Sequence, residues 1–427
     1  MPKPSDKICI IGAGPAGLTA AYNLQKKGYK NLTVLEKEDH VSGKCWSIPS
    51  DGNQFDMGGM EVGVAYDNVR SLADEFNVPL MKAPPFLLAF LKEKKITGSR
   101  FSIFKGFNLI IVFWCFIKFW YYTKIKYRRF IDRPTMTDIP DELLVTADEW
   151  FENKNMQAMR PLFHVIITGF GYGTLDKITA AYVIKFVFNG TFVLMAGLGY
   201  KQWPRVFKHG YQSLWNAVAD SLPDVRLNVN GIRIDRTDEG VTVYSEGNEP
   251  EKFDAAIVTC CMDNTLNKLI PDATTPETDF FDPIFYNHYW SILTKSKNFP
   301  RPQALMVDYS LEERPDKPWV AVKTYPENNT ILFNSYASAD DGSDEDLVIK
   351  NIHEEMKTWD IEVGDVVGTK LWTYFPQLSL DLLKADHYSK IPTIQGTKNT
   401  YYTGACLNFE TVYATMVNSK HLTDNYF

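Results

Sequence analysis

The chain of 427 residues is longer than a single hydrophobic core normally organises, so the sequence predicts two or three domains. Apolar residues make up 45% of it and charged residues 23%, which is typical of a folded globular protein and not of a disordered one. The net charge of −7 argues against nucleic acid as a partner, because neutralising phosphates requires a basic surface.

Cysteine usage points to a reducing compartment. The six cysteines form no CxxC pair and no Cys/His spacing suited to a metal, so neither a disulfide framework nor a metal site is predicted. The first residues run directly into a strand without an apolar leader. We therefore expect a cytoplasmic protein.

The first predicted elements form a strand, a glycine-rich turn and a helix. Residues 8–11 are a short β-branched run, and an apolar-periodic helix extends to about residue 27. Between them Gly12, Gly14 and Gly17 match G-x-G-x-x-G, whose glycines allow a tight turn and close backbone approach to a pyrophosphate. The helix N-terminus offers free N–H groups to that anion.

The next strand completes this unit. Residues 31–35 are apolar and β-branched, and Glu36 follows at the strand end, where a carboxylate can bind ribose hydroxyls. A glycine triplet alone is a weak signal, but strand, turn, helix, strand and acid in this order predict dinucleotide binding.

Later elements of the same kind recur far along the chain. Residues 225–234 and 241–245 alternate as a hairpin, and residues 255–259 read as a buried strand. Residues 400–403 form another strand, with a helix from 412 to 422. The sequence predicts a discontinuous nucleotide domain with two inserts. The predicted segments are 1–80, 205–265 and 385–427 for the nucleotide domain, 81–204 for a helical substrate or lid insert, and 266–384 for a sheet-containing substrate domain.

Two segments after Glu36 distinguish between dinucleotides. The segments HVSGKC (residues 40–45) and FDMGGM (residues 55–60) resemble those of the flavin amine oxidase and phytoene desaturase superfamily. The resemblance implies FAD as cofactor, on a Rossmann-like, glutathione-reductase-type α/β domain beside a mixed β-sheet substrate domain. Lys44 stands where the family usually has arginine, so it keeps the charge but not the bidentate fork.

The C-terminal strand and the hairpin support the same resemblance. In the family a glycine and a helix N-terminus, here Gly404 and the helix near Val412, lie beside the flavin. Ala405 replaces a usual glutamate, and Gly231 replaces a usual valine near the adenine. The residues that the resemblance implies as FAD contacts are Gly12, Gly14, Pro15, Ala16, Gly17, Glu36, Lys37, Gly43, Lys44, Cys45, Met57, Gly58, Gly59, Met60, Val229, Gly231, Gly404, Thr411 and Val412.

A closer resemblance spans nearly the whole chain. The segments GFGYG (residues 169–173), AAYVIK (180–185) and YFP (374–376) resemble the bacterial FAD-dependent isomerases that move double bonds of polyunsaturated fatty acids. That resemblance implies a redox-neutral reaction in which flavin N5 takes a hydride from a doubly allylic carbon and returns it elsewhere, giving a conjugated diene. No side-chain base is then required.

The substrate pocket is less well defined. Residues 84–90 are apolar where those isomerases carry arginine near the substrate carboxylate. A free carboxylate would need another partner, such as Lys82, Lys92 or Lys201, whereas an acyl lipid or other apolar polyene would not. Aromatic residues of the helical insert either line a channel over the flavin or simply fill the core. The pocket candidates are Phe170, Tyr172, Phe192, Tyr200 and Trp203.

A basic and apolar arm lies in the same insert. Residues 94–131 contain nine Lys or Arg and no acidic residue, around a continuous apolar run at 109–117. The run is too short for a confident membrane span. It favours either an interfacial helix on an anionic membrane or a buried helix that caps the substrate domain.

Two other functions share these FAD motifs or this fold. One is an oxidase or desaturase that removes hydrogens from an apolar substrate and passes electrons to oxygen or a quinone. The other is a lipid carrier without flavin, like the GDP-dissociation-inhibitor relatives of the superfamily. Retention of Glu36, Gly58 and Gly59 counts against the carrier.

Overall fold

The structure is a computed structural model. It describes residues 1–83, 88–92, 95–97, 107–189, 204–262, 265–299, 304–306, 316–323, 329–337 and 345–427. In these parts a parallel sheet, a larger mixed sheet and a group of helices pack together, so the predicted α/β class with a mixed second sheet is confirmed.

Helices and strands follow one another along the whole chain. In chain order the helices are α1 (Pro15–Lys26), α2 (Asp67–Glu75), α3 (Leu109–Tyr121), α4 (Arg128–Ile131), α5 (Ala147–Asn153), α6 (Arg160–Gly169), α7 (Ala180–Asn189), α8 (Gln212–Asp220), α9 (Leu266–Leu269), α10 (Thr275–Phe281), α11 (Glu345–Lys357), α12 (Leu380–Lys384), α13 (Ile391–Ile394) and α14 (Val412–Tyr426). The strands are β1 (Lys7–Ile11), β2 (Asn31–Leu35), β3 (Ser47–Ser50), β4 (Asn53–Asp56), β5 (Leu80–Lys82), β6 (Leu88–Lys92), β7 (Lys95–Thr97), β8 (Arg205–Phe207), β9 (Val225–Arg226), β10 (Arg233–Thr237), β11 (Gly240–Tyr244), β12 (Glu251–Phe253), β13 (Ala255–Val258), β14 (Phe285–Lys297), β15 (Ala304–Met306), β16 (Val320–Lys323), β17 (Thr330–Tyr336), β18 (Glu362–Gln377) and β19 (Thr400–Tyr402).

The parallel sheet joins strands from both ends and the middle of the chain. Its order is β19-β13-β1-β2-β9, and the central strands β1 and β13 are buried almost throughout. Such continuous apolar strands suit a parallel sheet that is covered on both faces. Helices α1 and α14 cover one face, and the antiparallel strands β10, β11 and β12 lie against the other. The carboxyl ends of β1, β2, β13 and β19 therefore meet at one edge.

One sequence expectation fails in this region. Residues 225–234 do not form one strand of a hairpin, because β9 instead pairs in parallel with β2, with Leu35 opposite Arg226. The antiparallel pairing begins only at Arg233, which lies opposite Tyr244. Alternation of apolar and polar residues does not distinguish these two pairings.

The larger sheet has the order β18-β14-β17-β16-β15-β6-β7. Its long strands β14 and β18 pair along most of their length. Strands β6 and β7 belong to it as well, although their residues fall in the segment 81–204 that was predicted to be helical. β6 pairs in parallel with β15, which is more than 200 residues away in the chain. The local pattern of apolar residues therefore could not predict this strand pairing.

Helices α3 to α7 pack together around aromatic side chains, in a core that continues into the parallel sheet. Trp150 of α5 and Phe163 of α6 are buried, and both lie close to Phe119 of α3. α6 then runs directly into the GFGYG loop. Among the described residues, no helix is long and apolar enough to cross a membrane.

Candidate active site

The glycine-rich turn after β1 is packed so tightly that Gly12 and Gly17 leave no room for a side chain. Gly12 has φ +104°, a conformation that favours glycine. A Cβ on Gly17 would lie 1.9 Å from the carbonyl oxygen of Gly12. Directly after β13, the Thr259 hydroxyl donates to the carbonyl of Ile11 at 2.8 Å. The first turn of α1 is thereby held against the sheet edge with its N-terminus free of any side-chain cap.

Glu36 is the buried acid at the end of β2. Its carboxylate accepts the N–H of Ala13 at 2.7 Å and the N–H of Glu38 at 3.1 Å, one on each oxygen. The backbone N–H of Val229 donates to the Glu36 carbonyl at 2.9 Å. Two N–H groups leave lone pairs on the carboxylate for ribose hydroxyls. By contrast, the Lys37 side chain is mostly exposed and lies nearest to Glu38.

The loops around Gly43 and Gly58 lie directly against this turn. A Cβ on Gly43 would meet the Cα of Gly14 at 3.2 Å, and the N–H of Ser42 donates to the Ala13 carbonyl at 2.9 Å. The N–H of Gly59 donates to the Lys44 carbonyl at 2.8 Å, and a Cβ on Gly58 would lie 2.2 Å from that oxygen. Cys45 and Met57 are buried in this packing, and Met60 is half-buried.

The C-terminal segment closes the same edge. The Cβ position of Gly404 lies 3.8 Å from the Cβ of Ala16, and its N–H donates to the Asn418 side chain at 3.0 Å. Thr411 caps α14 by accepting the N–H of Ala414 at 3.2 Å, so the N-terminus of that helix begins at the site. Pro15 and Val412 open the two helices that meet here, α1 and α14.

Lys44 makes an ion pair that the sequence did not predict. Its ammonium contacts the carboxylate of Glu410, and the same carboxylate accepts the N–H of Phe375. Both charged side chains are largely removed from water. Burial alone would lower the pKa of Lys44, but nearby Cys261 and Glu410 hold that pKa above its usual value. Lys44 therefore brings one positive charge to the site edge, already partly neutralised by Glu410.

Tyr172 connects this pair to the GFGYG loop. Its hydroxyl donates to the carbonyl of Glu410 at 3.0 Å, and its ring packs against Tyr374, Phe375 and Phe409 with centroids between 5.0 and 5.4 Å apart. The ring is buried. Tyr172 thus forms part of an aromatic wall beside the site.

The larger sheet fixes the loop from its other side. The Tyr289 hydroxyl donates to Gly169 at 2.7 Å, and Asn287 donates to Gly171 at 2.8 Å. A Cβ on Gly171 would lie 3.0 Å from the Tyr289 ring. The loop is consequently clamped between the sheet and the segment before α14, and the close approach of Tyr289 accounts for the glycine at position 171.

Two acidic residues near this edge have raised pKa values, and the sequence did not single them out. Burial raises the pKa of Glu61 to about 7, and this half-buried side chain directly follows Met60. Burial also raises the pKa of Asp56 to about 7, although the Ser47 hydroxyl and the N–H of Tyr211 donate to it at 2.6 and 2.8 Å. In the sequence both acids lie next to glycines and methionines. A carboxyl with no cation beside it has its pKa raised by burial, so this context was the signal that could have identified them.

The other predicted site residues differ in their surroundings. Gly231 is exposed in a left-handed turn, where a Cβ would meet the Glu246 side chain. Phe170 is 40% exposed, and its ring centroid lies 6.3 Å from that of Phe186, which packs on Tyr172 at 4.8 Å. Phe192, Tyr200 and Trp203 fall outside the described residues, as do residues 84–87 and the candidate anchor Lys201.

Comparison with known proteins identifies the type of fold and site. The family model described as flavin containing amine oxidoreductase matches residues 15–359. The crystal structure of a CLA-producing fatty acid isomerase from P. acnes superposes with a TM-score of 0.89 at 25% identity, covering 100% of both chains. A variant of putrescine oxidase superposes with a TM-score of 0.74 at 17% identity, covering 98% of this chain and 97% of the other.

The sequence relatives match only locally. A 1-hydroxycarotenoid 3,4-desaturase from Flavobacterium sp. (strain P99-3) is 50% identical over 52 residues, which are 12% of this chain and 10% of the desaturase. A putrescine oxidase from Kocuria rosea is 37% identical over 71 residues, 17% of this chain and 15% of that enzyme. The chain therefore matches only about a tenth to a seventh of the length of these curated relatives.

The residues present fit FAD. The turn at Gly12–Gly17 excludes side chains from the place where a pyrophosphate would approach, Glu36 keeps free lone pairs, and α1 begins there with uncapped N–H groups. Gly43 and Gly404 extend this close-packed backbone from two other segments. Together with the match to the flavin containing amine oxidoreductase family, this confirms FAD as the cofactor.

Proposed function

Because this chain belongs to the family of flavin containing amine oxidoreductases, we propose that it is an FAD-dependent isomerase that converts a polyunsaturated fatty acid or acyl lipid into a conjugated product. The full-length likeness to a CLA-producing fatty acid isomerase carries the proposal, since it covers 100% of both chains. When bound, FAD supplies a centre that can accept a hydride and return it.

The residues of the chain support this reaction by shaping the site. The clamped GFGYG loop places the buried ring of Tyr172 beside Phe409 and Tyr374, and these rings offer an apolar wall to an acyl chain. Such a wall keeps water from a reactive, electron-poor intermediate of the substrate. Lys44 and Glu410 neutralise one another at the edge of the wall, so the pair adds little net charge there.

The test is an anaerobic incubation of the FAD-loaded protein with linoleic, α-linolenic and arachidonic acids. Ultraviolet absorbance reports conjugated diene, and oleic acid, with a single double bond, serves as the control. A redox-neutral isomerase makes conjugated product without any electron acceptor. Bleaching of the flavin that only air reverses would instead identify an oxidase or desaturase, the alternative to which the local desaturase match points.

Glu61 provides a sharper test, because its pKa of about 7 would suit a general base and, unlike that of Asp56, is raised by burial with no opposing hydrogen bonds from the described residues. Isomerisation by hydride transfer needs no such base. We therefore expect Glu61→Gln to keep kcat within about fivefold of wild type and to leave its pH profile unchanged. A loss of roughly a thousandfold, with a wild-type kcat that rises through pH 7, would show proton abstraction by Glu61 instead.

A further inference from the structure

Helix α3 leaves a large apolar face exposed to water. Val112, Cys115 and Phe119 are buried against the helical group. The opposite side is just as apolar, and Ile110 and Trp114 are 67% and 57% exposed. We call this exposed side the docking face, formed by Leu109, Ile110, Phe113, Trp114, Ile117 and Trp120. An exposed apolar face of this size on a helix marks an interaction site.

Basic residues follow the docking face directly. Between residues 94 and 131 the chain carries nine Lys or Arg and no Asp or Glu, although its net charge is −7. In the described part, Lys126, Arg128 and Arg129 are exposed just beyond the helix. Lys126 contacts Glu142 and Arg128 contacts Asp132, so some of this charge is balanced from neighbouring segments. The side chain of Arg129 adds a further exposed positive charge.

Aromatic residues lie at the boundary between the apolar and basic parts. Trp120 and Tyr121 end α3 and are 44% and 45% exposed, immediately before the basic turn. Apolar side chains, then Trp and Tyr, then cations is the order in which an interfacial helix meets the acyl chains, the headgroup region and the anionic surface of a bilayer.

We propose that α3 docks the protein onto an anionic lipid surface. A second copy of the chain is the competing occupant. Two copies joined through this face would bring two strongly basic segments together, and like charges oppose that contact. An anionic bilayer instead neutralises the same cations while it accepts the apolar side chains. The charge pattern therefore favours lipid over self-association.

Docking would place the bilayer close to the aromatic wall. Phe119 of α3 packs on Phe163 in the first half of α6, and α6 ends at the GFGYG loop that contains Tyr172. The 10 residues of α6 span about 15 Å. An acyl substrate could then reach the site without crossing water. This route rests on the proposed function, whereas docking itself does not.

Vesicle flotation of the full-length, FAD-loaded protein tests the docking. Vesicles of phosphatidylcholine alone are compared with vesicles that also contain phosphatidylglycerol. The test variant is Ile110→Ser/Trp114→Ser, and Leu347→Ser on α11, 40% exposed, is its matched control. Arg129→Glu is compared with Lys30→Glu, which makes the same charge change at an exposed position away from α3. The comparison distinguishes an effect of charge beside α3 from an effect of the net charge of the protein. Retained flavin absorbance and an unchanged unfolding midpoint confirm that each variant is folded.

We expect wild type, Leu347→Ser and Lys30→Glu to float with the anionic vesicles. Ile110→Ser/Trp114→Ser should partition at least about tenfold less, with a smaller loss for Arg129→Glu. Wild type that stays unbound to both vesicles, or a double variant that floats like wild type, would overturn the proposal. A wild-type dimer that Ile110→Ser/Trp114→Ser dissociates, without flotation of either, would assign the face to a second copy.

The assay does not depend on turnover. Conjugated-diene formation is measured separately, on fatty acid dispersed in detergent. Protein that floats but makes no conjugated product would contradict the proposed function alone, whereas protein that makes product but does not float would contradict the docking alone.

Discussion

The glycine-rich turn and helix α3 differ in where their side chains find partners. At the turn, polar groups that pack inside, such as the Glu36 carboxylate and the Ala13 N–H, find partners within the chain. On α3, large apolar side chains such as Ile110 and Trp114 face water. The first region is therefore defined by the contacts of the fold and its cofactor, and the second by a surface outside the chain. Substitutions at buried positions near the site should have larger effects on stability, flavin content or activity than matched substitutions away from it.

The largest effect is expected at Gly17. Gly17→Ala places a Cβ 1.9 Å from the Gly12 carbonyl oxygen, a backbone atom that cannot move without opening the turn. We expect loss of bound flavin and a decrease in unfolding free energy of about 4 kcal/mol or more. Visible absorbance and urea unfolding measure the two. Gly28→Ala is the control, since nothing lies within 4 Å of its Cβ and only its positive φ is strained. Equal flavin content in both variants would contradict the role given to the turn.

The next effect compares a buried ion pair with an exposed one. Lys44→Met leaves the Glu410 carboxylate without its cation in a largely buried place, which should cost about 3 kcal/mol of unfolding free energy. Lys26→Met removes the same charge from the exposed pair with Glu75 and should cost less than about 1 kcal/mol. Similar losses in the two variants would show that Lys44 is effectively solvated.

The pH dependence of stability should reveal Asp56. Its pKa is raised to about 7 in the folded protein, whereas an unfolded aspartate titrates near 4, so its stabilising contribution is complete below pH 4 and is lost as the pH rises to 7. Asp56→Asn accepts the same hydrogen bonds without titrating. Relative to wild type, its unfolding free energy should therefore rise by roughly 2 kcal/mol between pH 5 and pH 8. A difference that does not change with pH would place the pKa of Asp56 near its ordinary value.

The smallest effect concerns one hydroxyl. Tyr172→Phe removes the hydrogen bond to the Glu410 carbonyl and Tyr29→Phe removes one to the Pro2 carbonyl, so each should cost about 1 kcal/mol of stability. Only Tyr172 lies beside the site, and its loss should lower kcat/KM by about tenfold. An equal kinetic effect of Tyr29→Phe would show that the decrease follows from stability alone.

The sequence predicted best those features that depend on residues close together in the chain. The strand, turn, helix and acid from Ile8 to Glu36 follow one another, so their spacing predicted dinucleotide binding. The resemblance of residues 40–45 and 55–60 to a flavoprotein superfamily then added FAD and the fold class. Lys44 and Glu410 are 366 residues apart, and nothing near either residue signals their pairing. The docking of the GFGYG loop on Tyr289 and Asn287 is equally non-local. The parallel pairing of β9 was missed because two residues carry no period.

Transfer of deuterium tests the proposed isomerisation most directly. Linoleic acid deuterated at its doubly allylic carbon is incubated anaerobically with the FAD-loaded protein, and the conjugated product is analysed by mass spectrometry. We predict that the product keeps the deuterium within the same molecule and takes none from deuterated water when unlabelled substrate is used. Loss of the label to solvent, or oxidised product that accumulates only with an electron acceptor, would contradict the proposed hydride transfer.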